Sequence, residues 1–199
     1  APRPSSPSQE TCPARDSPNH PRAEDTVLDS LIGRPLPPVT LVLGGQRSGK
    51  SAFAEGLIEA HGPGTYLATA LPGDPEMAER IARHRERRGE DWTTVEEPME
   101  LARALKDHAG TPVLVDCLTL WLANLMAAGR DINAETRALT DALAGLAQPV
   151  VLVSGEVGQG IIPDNPLGRQ FCDEAGALNQ AVAGCAQRVV FLTAGLATL

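Results

Sequence analysis

The chain has 199 residues, with 17 Lys+Arg against 25 Asp+Glu and a formal net charge of −8. That excess of acid excludes a general affinity for nucleic acid or for an anionic membrane surface, both of which need a basic field. A content of 42% hydrophobic and 21% charged residues excludes a chain disordered throughout. No apolar stretch reaches the roughly 18 residues that span a bilayer, and the first residues lack the apolar core of a secretion signal. Cys12, Cys117, Cys172 and Cys185 form no CxxC pair and have no histidine at ligand spacing, so reduced thiols in a cytoplasmic protein are expected.

Residues 1–38 hold nine of the seventeen prolines and, apart from an apolar island at Val27 to Ile32, show no helical or strand periodicity. Such a stretch buries too little apolar surface to offset its ordering entropy, which predicts a mostly disordered tail whose removal through residue 36 leaves stability unchanged. One domain then runs from 39 to 199. Short aliphatic runs at Val39 to Leu43, Thr65 to Thr69, Pro112 to Asp116, Val150 to Ser154 and Arg188 to Thr193 predict strands, with Trp92 to Val95 a further short one. Amphipathic stretches at Gly49 to His61, Pro75 to Arg88, Pro98 to His108, Leu118 to Ala128, Ala134 to Leu146 and Leu167 to Ala186 predict the intervening helices. This alternation predicts a three-layer α/β domain around a mostly parallel sheet.

Gly44-Gly45-Gln46-Arg47-Ser48-Gly49-Lys50-Ser51 fits GxxxxGK[ST] between the first predicted strand and the first helix. Glycines there let backbone N–H groups converge on phosphate oxygens at the positive end of a helix. Lys50 is expected to reach the β- and γ-phosphates, and the Ser51 hydroxyl to bind Mg²⁺. Asp116 ends the run Val113-Leu114-Val115 at a strand's C-terminal edge, where ligands of open α/β sheets collect. It reads as a metal ligand or as a cap on the following helix, with Glu156 a weaker rival for the metal.

Asp74 to Asp91 carries five arginines and His84, with acid in its first turn and base in its last, as suits a helix dipole. On spacing alone this is a solvated charged helix, and His84 a weak candidate. His20, His61 and His108 read as structural or solvated. The stretch from Leu118 to Leu125 with Trp121 reads as a packed helix face, and Glu156 to Pro163 as either a lid or a plain connection.

Seven segments taken together change the weight on His84. These are the loop 44–51, Tyr66 to Thr69, Glu76-Met77 with Arg80, Ile81 and His84, Trp92 with Glu96, Asp116 to Trp121 with Asn124-Leu125, Glu156 to Gly158 with Gly160 and Pro163, and Arg169 to Asn179-Gln180. In order and spacing they resemble the bifunctional adenosylcobinamide kinase/adenosylcobinamide-phosphate guanylyltransferase family of cobalamin biosynthesis. The resemblance implies phosphorylation of adenosylcobinamide by GTP or ATP, then transfer of GMP from GTP to adenosylcobinamide phosphate through a GMP-histidine at His84. It also implies nucleotide contacts from the loop 44–51, from Thr69, Ala70 and Leu71, from Arg85, Glu86, Arg87 and Arg88, and from Glu96 and Asp116, within a homo-oligomer. Where the family usually has Asn, this chain has Gly155. A simple small-molecule kinase and a nucleotide-driven switch are the competing functions, the second disfavoured by the lack of an NKxD-type guanine loop.

Overall fold

The computed structural model describes residues 30, 31, 34–71, 89 and 91–199. The predicted helix Pro75 to Arg88 therefore lies outside the described residues, as do His84, Arg85, Glu86, Arg87, Arg88 and most of the proline-rich segment.

Strand β1 (Val39–Gly44) leads into α1 (Lys50–Glu59), followed by β2 (Gly64–Ala68), β3 (Trp92–Glu96) and α2 (Leu101–Asp107). Then come β4 (Val113–Asp116), α3 (Leu118–Ala127), α4 (Ile132–Gly145), β5 (Val150–Gly155), α5 (Pro166–Cys185), β6 (Arg188–Thr193) and β7 (Leu196–Thr198). The seven strands form one sheet in the order β3-β2-β4-β5-β1-β6-β7, parallel except for β7 against β6. The three-layer α/β domain expected from the sequence is the one observed.

Strand periodicity divides the core. Along β5, Val150 and Leu152 join the cluster containing Leu105, Leu118, Trp121, Leu139 and Leu178 from α2 to α5. Val151 and Val153 point the other way, onto Phe53, Leu57 and Ile58 of α1. The central strands are covered on both faces, which is why they read as nearly unbroken apolar runs.

Three departures from the expected elements have local causes. The helix expected from Pro98 begins at Leu101, because the Glu97 carboxylate accepts the Met99 and Glu100 amides at 2.9 and 2.8 Å and holds them in a turn. The hairpin β6–β7 was not expected. Its two-residue turn, Ala194-Gly195, has φ of 52° and 83°, the left-handed pair that suits strand twist, but Ala is an unusual residue for it and β7 is only three residues long. Thirdly, the segment before β1 is not wholly without a docking face. Leu31 and Leu36 are buried in the α1-side cluster. The His61 ring holds this segment too, with Nδ1 2.9 Å from the Leu57 carbonyl and Nε2 2.8 Å from that of Arg34.

Candidate functional site

The loop between β1 and α1 is built by close backbone approach. Gly44 has φ 155°, and a Cβ there would lie 2.4 Å from the Leu192 carbonyl oxygen of β6 and 2.7 Å from Ser48 Oγ, so the position needs glycine. Gly49 at φ 96° is the helix N-cap, and Arg47 at φ 56° is a left-handed residue without glycine's freedom. Neighbouring elements fix the loop from outside: the Gly195 amide donates to Ser48 O at 3.0 Å and the Glu156 amide to Gly44 O at 3.0 Å. Lys50 Nζ folds back onto Gly45 O at 2.6 Å. Ser48 Oγ is buried with no hydrogen-bond partner, a condition that costs about 1–3 kcal/mol unless a ligand supplies one.

Asp116 ends β4, which is separated from β1 by β5 alone, so the carboxylate and the loop share the sheet's C-terminal edge. It does not cap α3. The N-cap residue is Cys117, with no side-chain cap, and Asp116 Oδ2 instead accepts the buried Tyr66 hydroxyl from β2 at 2.6 Å. Burial, and secondarily the charge of Asp116, push the Cys117 thiol up to about 11. The rival acid, Glu156, accepts the Gly158 amide at 2.7 Å and so serves its own loop.

Two polar clusters that spacing had left without roles hold the β4–α3 junction in place. On one side Thr69, fully buried, donates its hydroxyl to Cys117 O at 2.7 Å and accepts the Cys117 amide at 2.8 Å, while its own amide donates to Asp116 O. Asn124 of α3 completes the tie by donating to Thr69 O at 2.8 Å and Pro98 O at 3.1 Å. On the other side Asn179 of α5 accepts the Ser154 hydroxyl at 2.6 Å and donates to Gly155 O at 3.2 Å, and the Gly155 amide donates to Thr119 Oγ1. A Cβ at Gly155 would meet that oxygen at 2.8 Å, so Thr119 fills the space a larger residue would need. Thr69 thus acts within the protein as a tie, and Ala70 and Leu71 follow it to the edge, Leu71 half in solvent. Glu96 ends β3 at the same edge. Cys117, Cys172 and Cys185 are free thiols, no cluster of three metal-ligating side chains occurs among the described residues, and no described helix is long and apolar enough to cross a membrane.

A parallel sheet whose first strand runs through a glycine-rich loop into a helix, with a carboxylate one strand removed at the same edge, defines a P-loop protein that uses nucleoside triphosphates. The profile of the family described as cobinamide kinase / cobinamide phosphate guanyltransferase matches residues 40–199, and the chain belongs to that family. It is similar to the bifunctional adenosylcobalamin biosynthesis protein CobP of Pseudomonas aeruginosa, 48% identical over 161 residues that cover 78% of this chain and 93% of the relative. The proteins of the same description named CobU from Escherichia coli and Salmonella typhimurium are 40% and 37% identical, each match covering 68% of this chain and 84% of the relative. The chain is a bifunctional enzyme of cobalamin biosynthesis, a kinase and a guanylyltransferase with nucleoside triphosphates as substrates.

Proposed function

We propose that the single phosphate-loop site serves both transfers. In the first, the side-arm hydroxyl of adenosylcobinamide attacks the terminal phosphorus of ATP or GTP, the bond to the nucleoside diphosphate breaks, and the hydroxyl proton leaves to solvent or a base. Lys50 balances the charge that spreads over the transferring oxygens, an interaction that strengthens as the transfer proceeds. The loop 44–51 cradles the phosphates, and the orphaned Ser48 hydroxyl supports this reading because a phosphate oxygen would complete it.

In the second transfer His84 attacks the α-phosphorus of GTP, expels pyrophosphate and holds GMP as a phosphoramidate. The phosphate of adenosylcobinamide phosphate then displaces the histidine and receives GMP. A neutral imidazole is a competent nucleophile near pH 7, and the covalent step divides one difficult displacement into two. Arg85, Arg87 and Arg88, with Glu86, are assigned to the nucleotide alongside Ala70, Leu71 and Glu96.

Ser51 and Asp116 offer a hydroxyl and a carboxylate, hard oxygen donors suited to Mg²⁺ rather than to a softer metal. Bound there, Mg²⁺ would neutralise phosphate charge. The Tyr66 hydroxyl, donating to Asp116 Oδ2 at 2.6 Å, would hold that carboxylate in a fixed orientation. The enzyme is read as a cytoplasmic homo-oligomer that binds no nucleic acid.

The observation that carries this reading is the placement of the phosphate loop and Asp116 on one sheet edge, one strand apart. The test is incubation with α-labelled GTP and Mg²⁺, with and without adenosylcobinamide. Acid-labile, base-stable label on the protein, discharged by the phosphorylated corrinoid, is expected. Nucleotide hydrolysis indifferent to the corrinoid would replace this reading with a nucleotide-driven switch.

A further inference from the structure

Large apolar side chains that remain exposed are unevenly placed on this molecule. Of seven among the described residues, Leu71, Ile161, Ile162, Leu167 and Leu196 lie after strand C-termini or in the first turn of α5, around the edge that carries the phosphate loop. Only Val189 and Leu199 lie elsewhere. Ile161 is 98% exposed and Ile162 78%, side by side at the apex of the β5–α5 connection.

That connection is anchored at both ends. It leaves the sheet at Glu156, whose amide is bonded to Gly44 of the phosphate loop, and Val157 packs against the core. It returns at Pro163, which lies so close to Gly168 that a Cβ there would be 2.8 Å from Pro163 Cβ. Arg169 grips the return by donating to Pro163 O and Asp164 O at 3.0 and 2.8 Å. Between the anchors the two isoleucines project into solvent beside the loop, where a nucleotide's phosphates have no use for hydrocarbon.

We propose that Ile161 and Ile162 form the apolar rim on which the corrinoid macrocycle of the second substrate rests. The inference depends on the kinase reading above and deepens it. A corrin is far too large to enter a phosphate loop, so with its side-arm hydroxyl at the terminal phosphorus the ring must lie over the adjoining rim. This connection adjoins Gly44 directly, continuous with the phosphate loop through the Glu156–Gly44 hydrogen bond, and it carries the two most exposed of the large apolar side chains. Leu167, on the first turn of α5, extends the same surface.

The test uses the full chain carrying Ile161→Ser and Ile162→Ser together, substitutions at solvent-exposed positions that leave the core intact. The expected result is a rise on the order of tenfold in the KM and Kd for adenosylcobinamide, the factor that roughly 1.4 kcal/mol of lost apolar contact produces. The KM for nucleotide, the kcat and the mass in solution should stay the same. Leu199→Ser, at an exposed apolar position away from the edge, should change none of these. An unchanged corrinoid Kd in the double variant overturns the proposal, as does an equal weakening by Leu199→Ser. A fall in mass would assign the rim to contact between copies of the chain and overturn it too. If the unaltered protein transfers no phosphate to the corrinoid at all, the kinase reading fails first, and that outcome is visible before any variant is made.

Discussion

Tyr66 on β2 donates its hydroxyl to Asp116 Oδ2 on the adjacent β4 at 2.6 Å, and its ring meets Trp92 of β3 edge-on, with centroids 5.9 Å apart and planes at 83°. The aromatic contact locks the ring, and the ring locks the carboxylate. Removing the hydroxyl as Tyr66→Phe keeps the packing and loses the orientation. The half-saturating Mg²⁺ concentration should rise about tenfold, in the range by which partners that orient a metal ligand usually act. Mn²⁺ binding followed by electron paramagnetic resonance should weaken in parallel, while the melting temperature moves little. A large fall in melting temperature with unchanged metal binding would assign Tyr66 to stability alone.

Lys50→Ala removes a cation that meets the phosphates. Both transfers should fall by at least two orders of magnitude, with nucleotide binding weakened. Ser51→Ala should act chiefly by raising the Mg²⁺ requirement. Measuring the two reactions separately checks the shared site, and full guanylyl transfer in Lys50→Ala would mean two separate nucleotide sites.

The expectation that residues before β1 are dispensable gives way to a graded one. Leu31 and Leu36 are buried among Val42, Leu57 and Val190, and burying a leucine contributes about 1.5–3 kcal/mol. Deletion through residue 36 removes both, along with the Arg34 carbonyl that His61 meets. It should lower the melting temperature by several degrees, whereas deletion through residue 25 spares all of these contacts. Differential scanning calorimetry of the two truncations checks this, and equal melting temperatures would show that the contacts contribute nothing.

Burial raises the Cys117 thiol from 9.0 to about 11, with Asp116 adding to the effect. The folded protein therefore keeps this proton where the unfolded chain has lost it. The stabilising preference is complete below pH 9 and disappears as pH rises through 11, so stability should decline across that window. Cys117→Ala should flatten the decline. At pH 8, without Mg²⁺, Cys117 should be alkylated at least tenfold more slowly than in the unfolded chain, as read by mass spectrometry of the labelled peptides.

The sheet and the phosphate loop were legible because their signals are local: aliphatic runs of strand length, and a glycine pattern in the turn between strand and helix. Asp116 could be read as the polar end of an apolar strand, but its tie to Tyr66 could not. That contact joins residues 50 apart and leaves no periodic trace. Asn179 stood out in sequence without a role, because its partners Ser154 and Gly155 belong to another element. Leu31 falls in the apolar island at Val27 to Ile32, but an island that short shows no period from which docking could be read, and Leu36 sits between two prolines. Thr69 matched a nucleotide-contact position by resemblance, yet its hydroxyl, amide and carbonyl are all used to hold the β4–α3 junction.

Gly155 offers a separate check on that junction. Gly155→Ala places a Cβ 2.8 Å from Thr119 Oγ1 and must shift it, costing about 1–3 kcal/mol as overpacking does. The double variant with Thr119→Ser, which keeps the hydroxyl but frees it to rotate, should recover part of the loss. Equal destabilisation of the single and double variants in urea denaturation would show that the contact is relieved in some other way.

The central claim, that GMP passes through His84, is tested most directly by labelling with α-³²P GTP in the intact protein and in His84→Asn. The asparagine retains hydrogen bonding but cannot form the phosphoramidate. The account predicts acid-labile, base-stable label on the intact protein and none on the variant, which still phosphorylates adenosylcobinamide. Label retained by His84→Asn would contradict it and place the nucleophile on another residue.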